Sequence, residues 1–384
     1  MKHYHYIFAG AGLATLMTVY KMILSQKFEH KNILILDQNQ KTANDRTWCF
    51  WSKEITIWDH LISKSWRMAL FADADFQQKM DLKPYQYHKI QGLDLYQFVL
   101  KIISEQKNIE IKYQKVTATT DLNDHVLVQT NQEHFTTDTL LNSVFEKNEL
   151  SNQTKYAVLQ QHFVGWFVEC EQEIFDPSTA TFMDFSVEQK ANTRFMYVLP
   201  TTKKAALVEY TLFSKNLLPF EAYEKEIVKY LEKMGAKNYT IIEKEQGSIP
   251  MSCYPFWKKN SKNIINIGTA GGWTKPSTGF TFRNCDQKST ELVAFLQTQK
   301  NGRLFYKKTK FWWYDLLFVE VLSRNNAIGH QVFGQLFRRA KPSLIFKFLD
   351  QKTTFAQDIQ VMLRCPKTPF LKALFTANFK NRNP

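Results

Sequence analysis

Residues 4–20, YHYIFAGAGLATLMTVY, hold the feature that most restricts how this chain can fold. An apolar run opens into Gly10-Ala11-Gly12 and then continues, so a secretion signal, a membrane anchor and a strand turning into a phosphate-binding helix are all open interpretations. The next apolar run, NILILD (32–37), ends in Asp37, 25 residues past Gly12, close to the spacing that a dinucleotide-binding fold needs. A signal peptide does not predict this acid, so we favour strand, glycine turn, helix and strand.

The glycine turn suits a pyrophosphate for a physical reason. Gly10 permits the tight turn, and Gly12 lets the backbone approach the phosphates. The helix that follows offers unpaired N–H groups and the positive end of its dipole. Asp37 can then accept hydrogen bonds from a ribose, while Thr15 stands where the third glycine of the usual pattern would be.

A second glycine cluster, IGTAGGWTKPSTGF, occupies residues 267–280 and follows a strand-like run. Its glycines free the backbone to approach a cofactor ring, and Thr269, Ser277 and Thr278 can supply hydrogen bonds. Two separated glycine sites suit FAD better than NAD. The alternative is a surface loop rich in glycine and proline.

Glu209 stands among apolar residues in ALVEYTL (206–212). Strand alternation puts Leu207, Glu209 and Thr211 on one face. If that face is buried, the pKa of the carboxyl rises and Glu209 can act as an acid near neutral pH. From spacing alone, a glutamate on a solvent-facing side of the sheet is the more frequent situation.

A charged pair, Asp45 and Arg46, precedes the aromatic residues of NDRTWCFW (44–51). Arg46 can contact a cofactor phosphate or the flavin. It can equally form a surface ion pair beside a core tryptophan, and the sequence leaves both possibilities open.

Composition excludes several classes of protein. The net charge of +14 attracts anionic ligands, but no zinc finger, basic-region helix or RNA-binding signature is present, so we expect no nucleic-acid partner. The five cysteines are scattered without a Cys-x-x-Cys, which fits a reducing, cytoplasmic compartment and predicts no metal site. No uncharged apolar run is long enough to span a membrane.

The order of elements predicts an α/β (α+β) fold in which one domain interrupts another. Alternation predicts strands at 125–130, 139–145, 157–169, 180–185, 194–200 and 205–214, the last four in one antiparallel sheet, and helical spacing predicts helices at 93–105 and 219–235. We therefore expect a Rossmann-like FAD-binding domain at 1–60, 85–150 and 245–300, an inserted antiparallel-sheet substrate-binding domain at 60–85 and 151–245, and a helical region at 301–384 that can face a membrane.

Over essentially its whole length the chain resembles the bacterial lycopene β-cyclases of the flavoprotein type. The resemblance rests on several blocks in a fixed order: FAGAGLA (8–14), NDRTWCFW (44–51), QHFVGWFVE (161–169), ATFMDF (180–185), MYVLP (196–200), ALVEYTLFS (206–214), GSIPMSCYPF (247–256), NIGTAGGWTKPSTGFTF (266–282) and FKFLDQKT (346–353). The segment LLNSVFE (140–146) departs from the family, whose members often carry an aspartate followed by small residues and an arginine there.

This resemblance implies a carotenoid-forming enzyme, an intramolecular lyase or isomerase that needs FAD yet makes no net redox change. NAD(P)H would reduce the flavin, and lycopene would be converted through γ-carotene to β-carotene by closing each end into a β-ionone ring. It implies that Glu209 is the essential carboxylate. The implied cofactor-binding residues are Gly10, Ala11, Gly12, Leu13, Ala14, Asp37, Arg46, Gly268, Thr269, Gly271, Gly272, Pro276, Ser277, Thr278 and Gly279.

A long polyene substrate suggests two further expectations. Trp48, Trp51 and Trp273 are candidates for cation–π contacts with a carbocation. Residues 311–322 and 368–380 combine aromatic residues with basic flanks, so they suit peripheral attachment to the inner face of the cytoplasmic membrane, although a solvated face over a helical core explains them as well. The alternative functions are an FAD- and NAD(P)H-dependent isoprenoid reductase or monooxygenase of the same fold, and a carotenoid carrier without chemistry.

Overall fold

The computed structural model describes residues 1–146, 148–299 and 301–380. Its strands are β1 (Lys2–Ala9), β2 (Ile33–Leu36), β3 (Thr47–Ser52), β4 (Lys64–Trp66), β5 (Met68–Asp73), β6 (Phe76–Asp81), β7 (Gln86–Gln91), β8 (Ile109–Lys112), β9 (Val116–Asp121), β10 (Val126–Thr130), β11 (His134–Asn142), β12 (Leu159–Cys170), β13 (Thr179–Asp184), β14 (Thr193–Pro200), β15 (Ala205–Ser214), β16 (Tyr239–Met251) and β17 (Ile264–Asn266). Its helices are α1 (Leu13–Ser25), α2 (Gly92–Ser104), α3 (Asn148–Ser151), α4 (Phe220–Lys233), α5 (Phe282–Thr298), α6 (Lys310–Arg324), α7 (Gly329–Arg339), α8 (Pro342–Leu349), α9 (Phe355–Met362) and α10 (Lys367–Lys380).

The first sheet carries the glycine turn. Its strand order is β8-β2-β1-β11-β10-β9, and β17 pairs with the last residues of β11, beyond the part that pairs with β10; the strands β8, β2, β1, β11 and β17 run parallel. Helices α1, α2 and α5 pack together against one face. The continuous apolar run of β2 is buried on both sides, as is usual for a strand in a covered parallel sheet.

The second sheet has the order β16-β12-β15-β14-β13-β5-β6. Strands β12 to β15 pair antiparallel where they are neighbours, as the sequence predicts, and β16, for which no strand was predicted, pairs antiparallel with β12. The expectation of a purely antiparallel sheet is incomplete, because the β5–β6 hairpin extends it and β5 runs parallel to β13. Val208, Tyr210 and Leu212 lie on the face that packs against α4, so the face of Leu207, Glu209 and Thr211 points the other way.

The third sheet, β3-β7-β4, packs against this opposite face. The hydroxyl groups of Tyr87 on β7 and Tyr197 on β14 are 2.7 Å apart. The Thr47 hydroxyl on β3 donates to the Glu245 carboxyl on β16 at 2.7 Å. The small sheet therefore covers the side of the second sheet that carries Glu209.

Helices α6 to α10 complete the chain. Side chains from α6, α7 and α8 share one apolar cluster with strands of the second sheet, Phe346 for example stacking on Trp51 of β3. None of the helices within the described ranges has both the length and the apolar content needed to cross a membrane. The strands of the two larger sheets come from interleaved stretches of the chain, and the division into domains stays a prediction.

A buried ion pair fastens the second glycine segment to the helical layer. The Lys275 ammonium lies 2.9 Å from the nearer carboxylate oxygen of Asp315 on α6, and both side chains are almost fully buried. The Ser277 hydroxyl donates to the same carboxylate at 2.6 Å. Removing one partner of such a pair leaves an uncompensated buried charge.

We therefore expect Lys275→Met to destabilise the fold by about 3–5 kcal/mol, because the Asp315 carboxylate keeps only the Ser277 hydroxyl. The double variant Lys275→Met/Asp315→Leu should recover most of that loss, since it removes both charges. The midpoints of urea unfolding measure both effects. A single variant that is as stable as the double variant would show that this ion pair does not fasten the segment.

Candidate active site

The turn between β1 and α1 forms an open cradle of backbone N–H groups. Gly10 adopts φ +89°, in the left-handed region that favours glycine. Gly12 is the N-cap of α1, and no side chain caps the helix. A Cβ placed on Gly12 would meet no described atom within 4 Å. The first N–H groups of α1 thus face open space, which suits an anion.

Asp37 lies at the carboxyl end of β2, directly beside this turn. Its Oδ2 accepts the Ala11 N–H at 2.6 Å and lies 3.3 Å from the Lys41 ammonium. The carboxylate therefore helps to hold the turn in shape. Because each carboxylate oxygen has two lone pairs, Asp37 can still accept a hydrogen bond from a ribose hydroxyl.

The second glycine segment meets the first at the start of α1. It follows β17, the neighbour of β11, and Gly268 adopts φ +60°. A Cβ on Gly268 would lie 3.1 Å from the Ala14 Cβ, so a larger residue would crowd the helix. Leu13 and Ala14 are buried in the first turn of α1, whereas Gly272 is exposed and Pro276 half-buried. Thr269 and Gly271 belong to the short helical turn Gly268–Gly271 that opens the second glycine segment.

A cavity of about 150 Å³ lies where the second and third sheets meet residues 278–282. Arg46, Trp48, Thr278 and Gly279 line it together with Glu209. Arg46 is half-exposed and its guanidinium donates to the Asp45 carbonyl at 2.5 Å.

Two of the predicted substrate-contacting tryptophans are not among the described residues that line this cavity. Trp51 is fully buried and donates its indole N–H to Asp350 at 3.1 Å. Trp273 belongs to the core of the first sheet and packs near Phe305. Of the three tryptophans, Trp48 is the one in the described lining.

Two glutamates of the cavity lining, Glu209 and Glu245, flank one glycine, Gly165, on the neighbouring strands. Gly165 on β12 pairs with Glu209 of β15 on one side and with Glu245 of β16 on the other. A Cβ on Gly165 would lie 3.4 Å from the Glu209 Cβ and 3.2 Å from the Glu245 Cγ. Glycine at this position leaves the space that both side chains use.

Glu209 is 7 % exposed and Glu245 is 9 % exposed. The solvent-facing alternative for Glu209 is therefore wrong, because the small sheet covers this face. Sequence reasoning missed Glu245 and Gly165. The signal for them was the alternation of Glu243, Glu245 and Gly247 along β16, together with a glycine in the middle of an apolar strand.

Residues 6–375 match the family model described as "Lycopene cyclase protein". The chain belongs to the lycopene cyclase family. A lycopene beta-cyclase of Pantoea ananas is 23% identical over 396 aligned residues, which cover 97% of each chain. A chloroplastic neoxanthin synthase of Solanum tuberosum is 27% identical over 128 residues, covering 30% of this chain and 25% of that protein.

Solved structures show the fold that this lycopene cyclase family member shares. A geranylgeranyl bacteriochlorophyll reductase-like protein from Thermoplasma acidophilum superposes with a TM-score of 0.61 at 9% identity, covering 97% of this chain and 96% of that one. A mutant of the halogenase PltM in complex with FAD gives 0.60 at 13% identity, covering 99% and 91%. The chain thus shares its mixed α/β fold with this reductase-like protein and with the halogenase.

The environments of the two carboxyl groups differ in charge. Burial raises the pKa of Glu209, the neighbouring Glu245 raises it further, and the Thr211 hydroxyl, 2.5 Å from Oε1, lowers it in part. Burial also raises the pKa of Glu245, and the nearby Glu243 raises it as well, whereas the Thr47 hydroxyl, Lys89 and Arg46 lower it. The two cations thus favour the ionised form of Glu245, while burial and the neighbouring Glu245 favour the protonated form of Glu209.

Three buried polar atoms of the cavity lining have no hydrogen-bond partner among the residues described. They are the Trp48 indole N–H, the Thr278 hydroxyl and the Gln161 side-chain oxygen. Buried polar groups nearly always find partners. The lining thus offers hydrogen-bond donors and an acceptor to the polar edge of a ligand beside the carboxyl pair.

The raised pKa of Glu209 makes the stability of the fold depend on pH. The folded chain keeps a proton that the unfolded chain releases at the ordinary glutamate pKa of about 4.3, so the free energy of unfolding falls as pH rises from that value to the raised one. Glu209→Gln removes this loss. We expect the Tm of Glu209→Gln to fall less than that of the wild type between acidic and mildly alkaline pH.

The matched control for this experiment is Glu169→Gln on β12, where the side chain is exposed. Its Tm should follow the wild-type pH dependence. Parallel curves for wild type and Glu209→Gln would contradict a protonated Glu209 in the folded protein.

Proposed function

We propose that this protein is a lycopene β-cyclase, which closes the acyclic ψ ends of lycopene into β-ionone rings to give γ-carotene and then β-carotene. The observation that carries the proposal is the buried pair of Glu209 and Glu245 in a cavity that aromatic and aliphatic side chains line together with several polar ones. Membership of the lycopene cyclase family supports it.

Glu209 is the proton donor in this proposal. Its proton adds to C2 of the terminal alkene and leaves a tertiary cation at C1, which the C5=C6 bond attacks so that the charge moves to C5. An isolated alkene is a very weak base, so the acid must act in a site that excludes water. The apolar side chains around Glu209, including Leu207 and Phe213, supply that exclusion.

Glu245 is the base that takes the C6 proton and so completes the ring. It lies on the same face as Glu209, with Gly165 of β12 between the two residues, and Lys89 and Arg46 favour its ionised form. One proton enters the polyene and one leaves it in each ring closure, so the substrate is isomerised. After the reaction Glu209 is ionised and Glu245 is protonated, so transfer of a proton from Glu245 to Glu209 restores the starting protonation of both residues. The face of Trp48 can stabilise the intermediate cation by a cation–π contact.

The two glycine segments would hold FAD. Gly10, Gly12 and the start of α1 suit the pyrophosphate, Asp37 suits a ribose, and the unpartnered Trp48 and Thr278 donors suit the polar edge of the flavin. When bound and reduced by NAD(P)H, the flavin supplies negative charge in a medium of low dielectric, where it stabilises a nearby cation. The residues of this chain bind and orient it.

Helices α9 and α10 suit peripheral attachment to the membrane in which such a substrate dissolves. Their large exposed apolar side chains include Phe355, Ile359 and Leu371, and Lys367 is exposed at the start of α10. Apolar side chains next to basic residues favour the interface of an anionic bilayer. We place this interface at the cytoplasmic face.

Substitution of the pair separates its two roles. Glu209→Gln should keep the fold and bound flavin but lower the rate of β-ring formation by about 10²–10⁴-fold, the usual contribution of a general acid. Glu245→Gln should also slow the reaction, and it should move the alkaline loss of the remaining activity to lower pH, because Glu209 loses the neighbouring charge that raises its pKa.

These variants can be compared in cells that accumulate lycopene, by pigment chromatography, and with purified protein across a pH series. Glu169→Gln is the matched control and should form β-carotene as the wild type does. A fully active Glu209→Gln variant would remove Glu209 from the role of proton donor.

The stoichiometry of reductant separates this proposal from the isoprenoid reductase or monooxygenase of the same fold. A cyclase needs electrons only to reduce its flavin, so anaerobic protein with chemically reduced flavin should form β-carotene repeatedly without nicotinamide. Product analysis against NADPH consumed measures this. One NADPH oxidised per product molecule would instead indicate a reductase or a monooxygenase.

A further inference from the structure

A second, larger cavity lies inside the C-terminal helical region, outside the candidate active site. Its volume is about 390 Å³, and side chains from α6, α7, α8, α9 and α10 surround it. Leu317, Phe318, Leu336, Phe348, Leu349 and Phe370 are among the apolar residues that line it. Its buried acid, Asp315, is already paired with Lys275 and Ser277, so it does not make the cavity polar.

A small cavity lies between this cavity and the one that holds the carboxyl pair. Its volume is about 70 Å³. Tyr87 and Tyr197 line both this narrow cavity and the active-site cavity, whereas Leu336 and Leu349 line both the narrow cavity and the helical one. Thr278 borders all three. The three spaces therefore lie in series through the protein.

The outer end of this series reaches the surface between α9 and α10. Leu363, Leu371 and Leu374 line the helical cavity, and they are 57%, 55% and 43% exposed. A ligand in the helical cavity can thus extend from apolar surface to the carboxyl pair without crossing a charged layer.

We propose that the helical cavity is a substrate-binding channel that holds the distal part of the polyene while its near end reacts at Glu209. This inference rests on the proposed function. The active-site cavity of about 150 Å³ is smaller than the roughly 300–1,000 Å³ that pockets for drug-sized ligands occupy, so most of a long polyene must lie elsewhere. The helical cavity is apolar, adjoins the narrow cavity beside the active site and reaches exposed apolar side chains at its far end.

The test narrows the channel far from the reacting atoms. Leu336→Trp and Leu349→Trp each replace an aliphatic side chain by a bulky indole ring where the narrow and helical cavities adjoin. Leu344→Trp, on the same helix as Leu349 and half-buried like it, is the matched control, because Leu344 is not among the described residues that line the three cavities. Flavin content and Tm of all three variants are measured first.

Two substrates are compared under reducing conditions. One is lycopene, and the other is an apocarotenal that keeps one acyclic ψ end but is cut near the middle of the chain, so that it does not fill the helical cavity. Leu336→Trp and Leu349→Trp should lose at least about tenfold in kcat/KM for lycopene, yet remain within about twofold of the control variant for the short substrate.

Each outcome decides one question. If the channel variants cyclise lycopene as fast as Leu344→Trp, the cavity is a packing defect and the channel is overturned. If they lose both substrates equally, the substitutions disturb the carboxyl pair and the channel is again overturned. If the wild-type protein cyclises neither substrate, the proposed function fails.

Discussion

The burial of two carboxyl groups on either side of Gly165 is the constraint on which the rest of this site depends. Two buried acids that face one another cannot both ionise cheaply, so at least one must keep a proton. The surroundings decide which one it is. Lys89, Arg46 and the Thr47 hydroxyl lower the pKa of Glu245 while Glu243 raises it, whereas Glu209 has the Thr211 hydroxyl. In the proposed mechanism this asymmetry assigns the role of acid to Glu209 and the role of base to Glu245.

The interrupted order of the chain is what closes the site from water. After β2 the chain leaves the first sheet, and β3 and β7 form a small sheet that lies over Glu209 and Glu245. The segment 278–282 then returns from the second glycine cluster to line the same cavity, and Lys275 fastens it to α6 through Asp315. The cofactor cradle, the acid pair and the helical cavity are thus held by one continuous set of contacts.

Sequence reasoning reached the parts of this structure that depend on local pattern. The turn at Gly10 and the acid at Asp37 were predictable because a strand, a tight turn and a helix leave a signature within forty residues. The sequence identified Glu209 as a candidate acid, but it did not predict that Glu209 is buried, since a strand pattern does not say what covers either face. Glu245 was missed because only the strand pairing, which places Gly165 of β12 between β15 and β16, brings it near Glu209. The helical cavity could not be predicted either, because apolar spacing looks the same whether helices pack closely or leave space between them.

Infrared difference spectroscopy tests most directly whether Glu209 carries a proton at neutral pH. The carbonyl stretch of a protonated carboxylic acid is separate from the bands of ionised carboxylates, and it shifts in D₂O. Spectra of the wild-type protein minus Glu209→Gln should contain this band at pH 7, and Glu245→Gln should lower the pH at which the band disappears. If the spectra of the wild-type protein and of Glu209→Gln show no difference in the protonated carboxyl band at pH 7, Glu209 carries no proton there and cannot be the proton donor.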